Sequence, residues 1–165
     1  MIMQKTEIIQ NKIFSSRKLK SQLNIWRFKE RKIIFTNGCF DLLHLGHIDY
    51  LSKASDFGDI LIIGLNTDKS VRKIKGSNRP ITDENSRASI LASLFFVDAI
   101  VLFEEETPWN LINIIKPDVL IKGSDYNAED IVGHDIVKAK GGQIITLDFL
   151  PGYSTTIIEN KIKDL

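Results

Sequence analysis

Five short runs of continuously apolar residues alternate with stretches of helical character along this chain, and that alternation limits the fold more than any other feature. The runs fall at 32–35, 60–64, 99–102, 119–121 and 143–147. A strand with one face in water alternates apolar and polar residues. A continuous run instead marks a strand buried on both faces, as in parallel sheets whose crossover helices cover them above and below. Helical stretches are expected between the runs. One spans about 47–57 and stops at Gly58. Another spans about 83–96, behind the capping sequence Thr82-Asp83-Glu84-Asn85. A third spans 108–115, with Thr107 as cap and Pro108 at the first helical position. A fourth covers 130–140 and ends at Gly141-Gly142, and the last covers 155–163. In residues 1–30, Leu19, Leu23 and Trp26 recur at helical spacing, which predicts a lead-in helix laid on the core. The expectation is an α/β chain with a three-layer sandwich around a five-stranded parallel sheet, in which 31–165 form the main domain. Ligands of such sheets sit beyond the carboxyl ends of the strands, so the loops that follow strands are where chemistry belongs.

Composition narrows the function. Lys and Arg number 22 against 21 Asp and Glu, for a net charge of +1. Nucleic-acid and membrane-surface domains carry a marked basic excess, so neither partner is expected. Cys39 is the single cysteine, which excludes an internal disulfide and a cysteine-based zinc site. No apolar run approaches the ~18 residues of a membrane helix, and the N-terminus lacks the apolar core of a signal peptide. These features suit a cytoplasmic protein.

The loop after the first run reads Thr36, Asn37, Gly38, Cys39, Phe40, Asp41, then His44-Leu45-Gly46-His47. Gly46 lets a ligand approach the backbone. A helix beginning there offers free N–H groups and a positive dipole end to phosphate, and His44 and His47 add donors. This arrangement suits a polyphosphate whose charge is stabilised in a transition state. Two other readings compete. Both histidines can simply cap the helix, or they can bind zinc, which needs a third ligand when His134 is the one remaining histidine. The G-x-G-x-x-G and G-x-x-x-x-G-K-[ST] patterns are absent, which disfavours a dehydrogenase and a P-loop enzyme.

Three further loops carry polar groups. Residues 66–80 are basic and contain Arg72, Lys73, Lys75 and Arg79, with Arg87 on the next helix. They form either a solvated loop or an anion site. Lys122, Gly123, Ser124, Asp125 and Tyr126 follow the fourth run and suit a polyhydroxylated ligand, or make an ordinary turn. Ser154, Thr155 and Thr156 open the last helix as caps, and a helix start of that kind also binds anions.

Residues 36–47 resemble the H-x-G-H signature of the cytidylyltransferase-like nucleotidyltransferases, which are Rossmann-like α/β proteins. The whole stretch from about Trp26 to Ile158 resembles their heptose branch, the adenylyltransferase domain acting on D-glycero-β-D-manno-heptose 1-phosphate. That branch shows N-x-D-x-S-V-R-x-x-K-G-x-x-R-P and K-G-G-D-Y, the latter with Ser124 here in place of the second glycine. The resemblance implies transfer of AMP from ATP to a sugar 1-phosphate with Mg²⁺, giving ADP-heptose for the lipopolysaccharide core. His44, His47, Lys75 and Arg87 would be catalytic. Thr36, Asn37, Gly38, Phe40, Gly46, Gly123, Ser154, Thr155 and Thr156 would bind the nucleotide. Asp41, Lys75, Arg79, Lys122, Asp125 and Tyr126 would bind the acceptor, with no resident metal site. A separate kinase would supply the sugar phosphate, and the apolar lead-in with Trp26 and Phe28 is a candidate homodimer surface. Within the family the rival is a cytidylyltransferase for glycerol 3-phosphate or a related alcohol phosphate. A nucleotide-binding module without turnover is the non-enzymatic alternative.

Overall fold

The computed structural model describes residues 4–125 and 127–164, with the backbone alone for Ala128. The sheet has six parallel strands in the order β1-β4-β3-β2-β5-β6, one more than expected. They are β1 (Ile13–Phe14), β2 (Ile33–Gly38), β3 (Ile60–Asn66), β4 (Ala99–Phe103), β5 (Val119–Gly123) and β6 (Gln143–Leu147). The additional strand is β1, two residues long, which pairs Ile13 with Ile100 at the β4 edge. It is too short to register as an apolar run.

Helices cover both faces. Leu51 and Ala54 of α3 (Leu45–Ser55) pack with Ala88 and Leu91 of α5 (Glu84–Ser93) against Ile34, Ile63 and Ile121. The other face receives Leu19 and Leu23 of α2 (Ser16–Phe28), Leu111 and Ile112 of α6 (Trp109–Ile115) and Val137 of α7 (His134–Ala139). Adjacent strand residues serve opposite faces, Ile34 one and Phe35 the other, which is why the strands read as unbroken apolar runs. The three layers are those expected. At the amino ends of the strands, Asp118, Asp98 and Asp59 accept from the backbone N–H groups of Ile33, Leu61 and Lys32, each at 2.8 Å.

Several elements differ from expectation. The lead-in holds two helices, α1 (Lys5–Asn11) and α2, with β1 between them. Trp26 meets Phe14 edge-on at 5.9 Å, whereas Phe28 is 90% exposed. Residues 66–76 are not a loop. Thr67 caps α4 (Asp68–Lys75) by accepting from the Ser70 N–H at 3.2 Å, and Arg72, Lys73 and Lys75 fall in its last turn, where the dipole favours cations. The stretch at 130–140 is split into a 3₁₀ turn at Ala128–Asp130 and α7, separated by Gly133 at φ 87°. Pro108 is the cap of α6 rather than its first residue. α8 (Thr155–Lys163) closes the chain.

The chain steps from β2 to β3 to β4 in one direction, then crosses back over β2 to β5 and β6. Strand order therefore reverses between β2 and β5, which end in Gly38 and Gly123. A crevice opens at such a reversal because consecutive crossovers leave it on opposite faces.

Candidate nucleotide-transfer site

A cleft of about 490 Å³ lies there, lined among others by Asn37, Gly38, Phe40, Asp41, His47, Lys75, Lys122, Gly123, Asp125 and Thr155. The loop leaving β2 enters it through Phe40, whose φ of 45° is rare for a bulky residue. That turn swings Phe40 back, so that its ring edge meets His47 at 5.2 Å.

His44 caps α3 in extended conformation and stacks on His47, with ring centroids 3.8 Å apart and planes 24° from parallel. The Nδ1 atoms of both are buried without a hydrogen-bond partner among the described residues. Burial lowers the pKa of each imidazole. For His47 the value falls to about 4, through desolvation first and then the charges of His44 and Lys75. Two uncharged rings thus face a site edged by the Lys75 ammonium. Unpaired buried polar atoms are costly. Here both belong to rings at the N-terminus of α3, whose first N–H groups form a ready site for an anion.

Lys122 rises from β5 and donates to Asn37 Oδ1 at 2.5 Å. Its pKa is pushed down to about 8, chiefly by burial, against the pull of Asp125. Burial also pushes the Cys39 thiol up, so it is a poor nucleophile at neutral pH.

Several other expected ligands are engaged by groups of the protein itself. Arg87 was expected at the phosphates, but its side chain is wholly buried beneath the loop. It donates to the carbonyls of Cys39 at 2.6 Å and Thr82 at 3.0 Å, and to Asp68 Oδ1 at 2.7 Å. Arg79 donates to Asp41 Oδ2 at 2.7 Å and pairs with Glu159 of α8. Asp41 itself is nearly inaccessible. Besides Arg79 it accepts from the N–H groups of Ile81 at 2.7 Å and Thr82 at 3.0 Å, and these bonds outweigh burial to lower its pKa. Its carboxylate braces the loop. Thr36 is buried and its hydroxyl pairs with that of Tyr50 at 2.8 Å. Ser154 caps α8 by accepting from Ile157 N–H at 3.2 Å, beside the cleft-lining Thr155, while Thr156 is exposed. Gly46 is where α3 and α8 approach: a Cβ there would lie 3.1 Å from the His44 ring and from Tyr153 Cβ. At Gly123 a Cβ would lie 2.2 Å from the Phe149 ring, which lies over that strand end. Tyr126 lies outside the described residues.

The cleft also includes Tyr50, Asn66, Ile74, Glu106, Thr107 and Phe149, none of which was expected. Asn66 ends β3, Glu106 follows β4 and Phe149 follows β6. The strand-end rule, applied to every strand, finds these and Thr107, whereas Tyr50 of α3 and Ile74 of α4 have no such signal. Among the described residues, no group of three or more His, Cys, Asp or Glu side chains is placed to hold a metal ion. No described helix is long and apolar enough to cross a membrane.

The family model "Cytidylyltransferase-like" matches residues 35–161. A protein of Campylobacter jejuni subsp. doylei named "Bifunctional protein HldE" is 48% identical over 157 residues, covering 93% of this chain and 33% of that protein. The protein of the same name from Geobacter metallireducens is 54% identical over 132 residues, covering 80% of this chain and 27% of that protein. The chain therefore spans about a third of the length of the curated relatives it matches. Among solved structures, a lipopolysaccharide core biosynthesis protein from Thermoplasma volcanium superposes with TM-score 0.60 at 29% identity, covering 73% of this chain and 97% of that one. A pantoate-beta-alanine ligase from Francisella tularensis shares the fold, with TM-score 0.62 at 21% identity over 93% of this chain and 78% of that one. With a cleft at the strand reversal, a stacked histidine pair at a helix N-terminus and this match over most of its length, the chain belongs to the cytidylyltransferase-like family.

Proposed function

We propose that this chain transfers AMP from ATP to D-glycero-β-D-manno-heptose 1-phosphate, releasing pyrophosphate and forming ADP-heptose for the lipopolysaccharide core in the cytoplasm. The observation that carries the reading is the uncharged His44–His47 stack, with unpaired Nδ1 atoms, at the α3 N-terminus beside Lys75. The heptose acceptor is supported by the motifs at 66–80 and 122–126, by relatives at about half identity, and by the likeness to a structure named for lipopolysaccharide core biosynthesis.

A phosphate oxygen of the acceptor attacks the α-phosphorus of ATP in line. One P–O bond forms as the bond to pyrophosphate breaks. The sugar phosphate is already anionic, so no proton is removed and no general base is needed. Catalysis is positioning plus offsetting the repulsion between two anions. His44 and His47 donate to the α- and β-phosphates, Lys75 supplies the mobile charge, and the α8 N-terminus at Ser154 and Thr155 takes the outer phosphates. Bound with ATP, magnesium would offset phosphate charge, and among the described residues no carboxylate or histidine cluster would hold it apart from the nucleotide. Lys122, Asn37 and Asp125 meet hydroxyl and phosphate oxygens of the substrates. Arg87 and Asp41 act behind them, by holding the loop. A sugar kinase activity supplies the sugar 1-phosphate.

Pyrophosphate release measured for His44→Ala tests the site. Removing one donor to the developing charge lowers kcat about 10²–10³-fold. Turnover within threefold of wild type would show that the stack does not act on the reacting phosphates.

A further inference from the structure

Three segments converge on the proposed phosphate site: the loop after β2, the end of α4 that carries Lys75, and the N-terminus of α8. One side chain, from the segment that follows α4, joins the other two. Arg79 lies four residues beyond Lys75, and one of its terminal nitrogens donates to Asp41 of the loop at 2.7 Å while the other pairs with Glu159 of α8.

α8 needs such a tether. Among the described residues none of α8 is buried, and Ile157 and Ile162 are at least half exposed. Apolar burial therefore contributes little to its placement. Its contacts to the core come mainly from the turn before it, where Phe149 covers Gly123 and meets Tyr50 at 5.9 Å, and Tyr153 abuts Gly46. Those contacts fix where α8 begins but not the direction in which its axis points. Glu159 stands five residues past the Ser154 cap, so a hold there sets the axis, and with it the direction of the free N–H groups.

We propose that Arg79 and Glu159 are a positioning pair that aims the α8 N-terminus at the nucleotide phosphates, and that Arg79 binds no substrate. This rests on the nucleotide-transfer reading of the cleft. The planar guanidinium suits the task, because it serves two carboxylates in one plane as an ammonium cannot.

The sign of the effect separates this role from mere proximity. A carboxylate near bound ATP repels it, so neutralising Glu159 as a bystander would tighten ATP binding. Neutralising it as a tether loosens binding. Arg79 variants also strand the buried Asp41 and can lose the fold, so Glu159→Gln, which keeps the size and shape of a side chain only 18% exposed, is the primary variant. Its Kd for Mg-ATP, read by titration calorimetry, is expected to rise about five- to tenfold, the size of one partly screened ion pair. KM for ATP should rise in step, with kcat and KM for the sugar phosphate within twofold of wild type and an unchanged melting temperature. Glu159→Asp should recover part of the affinity. An unchanged or lower Kd, or an equal rise in both KM values, overturns the pair. Because ATP binding is the readout, a wrong acceptor leaves the test intact, whereas wild-type protein that binds neither ATP nor CTP overturns the reading of the cleft itself.

Discussion

His47 is held neutral by its surroundings, and this has a consequence for stability. Its folded pKa is about 4, below the usual 6.5. As pH falls below 6.5 the unfolded chain takes up a proton that the folded site refuses. The contribution of a neutral His47 is therefore complete above that value and is lost progressively as pH falls toward 4. Thermal melts at pH 7 and pH 5 should show a larger fall for wild type than for His47→Gln, in which the term is absent. Equal falls would mean that the ring is not desolvated as the structure shows. Arg87 gives a second residue-scale expectation. Its removal leaves Asp68 and two loop carbonyls without their donor, so Arg87→Ala should lose about 3 kcal/mol in denaturant melts, the usual cost of breaking a buried pair. A loss below 1 kcal/mol would place its role in the cleft instead. The resemblance implied a catalytic Arg87 at the phosphates, whereas the side chain is engaged beneath the loop. Residue type and spacing show that a guanidinium is present, whereas its direction depends on Asp68 and Cys39, and Cys39 is remote along the chain. His44 and His47 were legible because three residues of helix suffice to bring them together.

Local pattern reads elements well where burial is complete and poorly at edges. β2 to β5 were visible because both faces are covered, and the edge strand β6 because Ile144, Ile145 and Leu147 pack partly onto the two cores. β1 was not, since it is two residues long and its strand identity comes from the open β4 edge. The 66–76 segment read as a loop because its cations mask a short helix whose buried positions, Ser70 and Val71, are few. The seam between α3 and α8 is the element-scale feature on which the proposed function depends, and Gly46 sits in it. Alanine there has opposing effects. It favours helix by about 1 kcal/mol relative to glycine. Its Cβ, 3.1 Å from both the His44 ring and Tyr153 Cβ, also pushes α3 and α8 apart. Gly46→Ala should keep its melting temperature within a few degrees and lose about tenfold in kcat/KM, a shift of ~1.4 kcal/mol in transition-state binding. Full activity would show that the seam tolerates displacement and is not part of the site.

At the scale of the molecule, one reversal of strand order places Gly38 and Gly123 side by side and leaves a crevice above them. Everything attributed to the site follows from that placement: the loop of β2 brings the histidines, α4 brings Lys75, β5 brings Lys122, and α8 closes the far side. The layers and the crevice were predictable from alternating runs. The sixth strand and the tethering of α8 were not, because both depend on pairings between distant parts of the chain. In the proposed function this cleft joins ATP to a heptose 1-phosphate. That function is tested most directly by pyrophosphate release from the purified protein with Mg²⁺, using ATP or CTP against D-glycero-β-D-manno-heptose 1-phosphate or glycerol 3-phosphate. The account predicts turnover with ATP and the heptose phosphate and less than about one hundredth of that rate for the other pairings, the discrimination available to a site whose polar groups are left unpaired by the wrong ligand. Turnover with CTP and glycerol 3-phosphate would contradict it, leaving the fold and the in-line chemistry in place but assigning the cleft to a different acceptor and a different base.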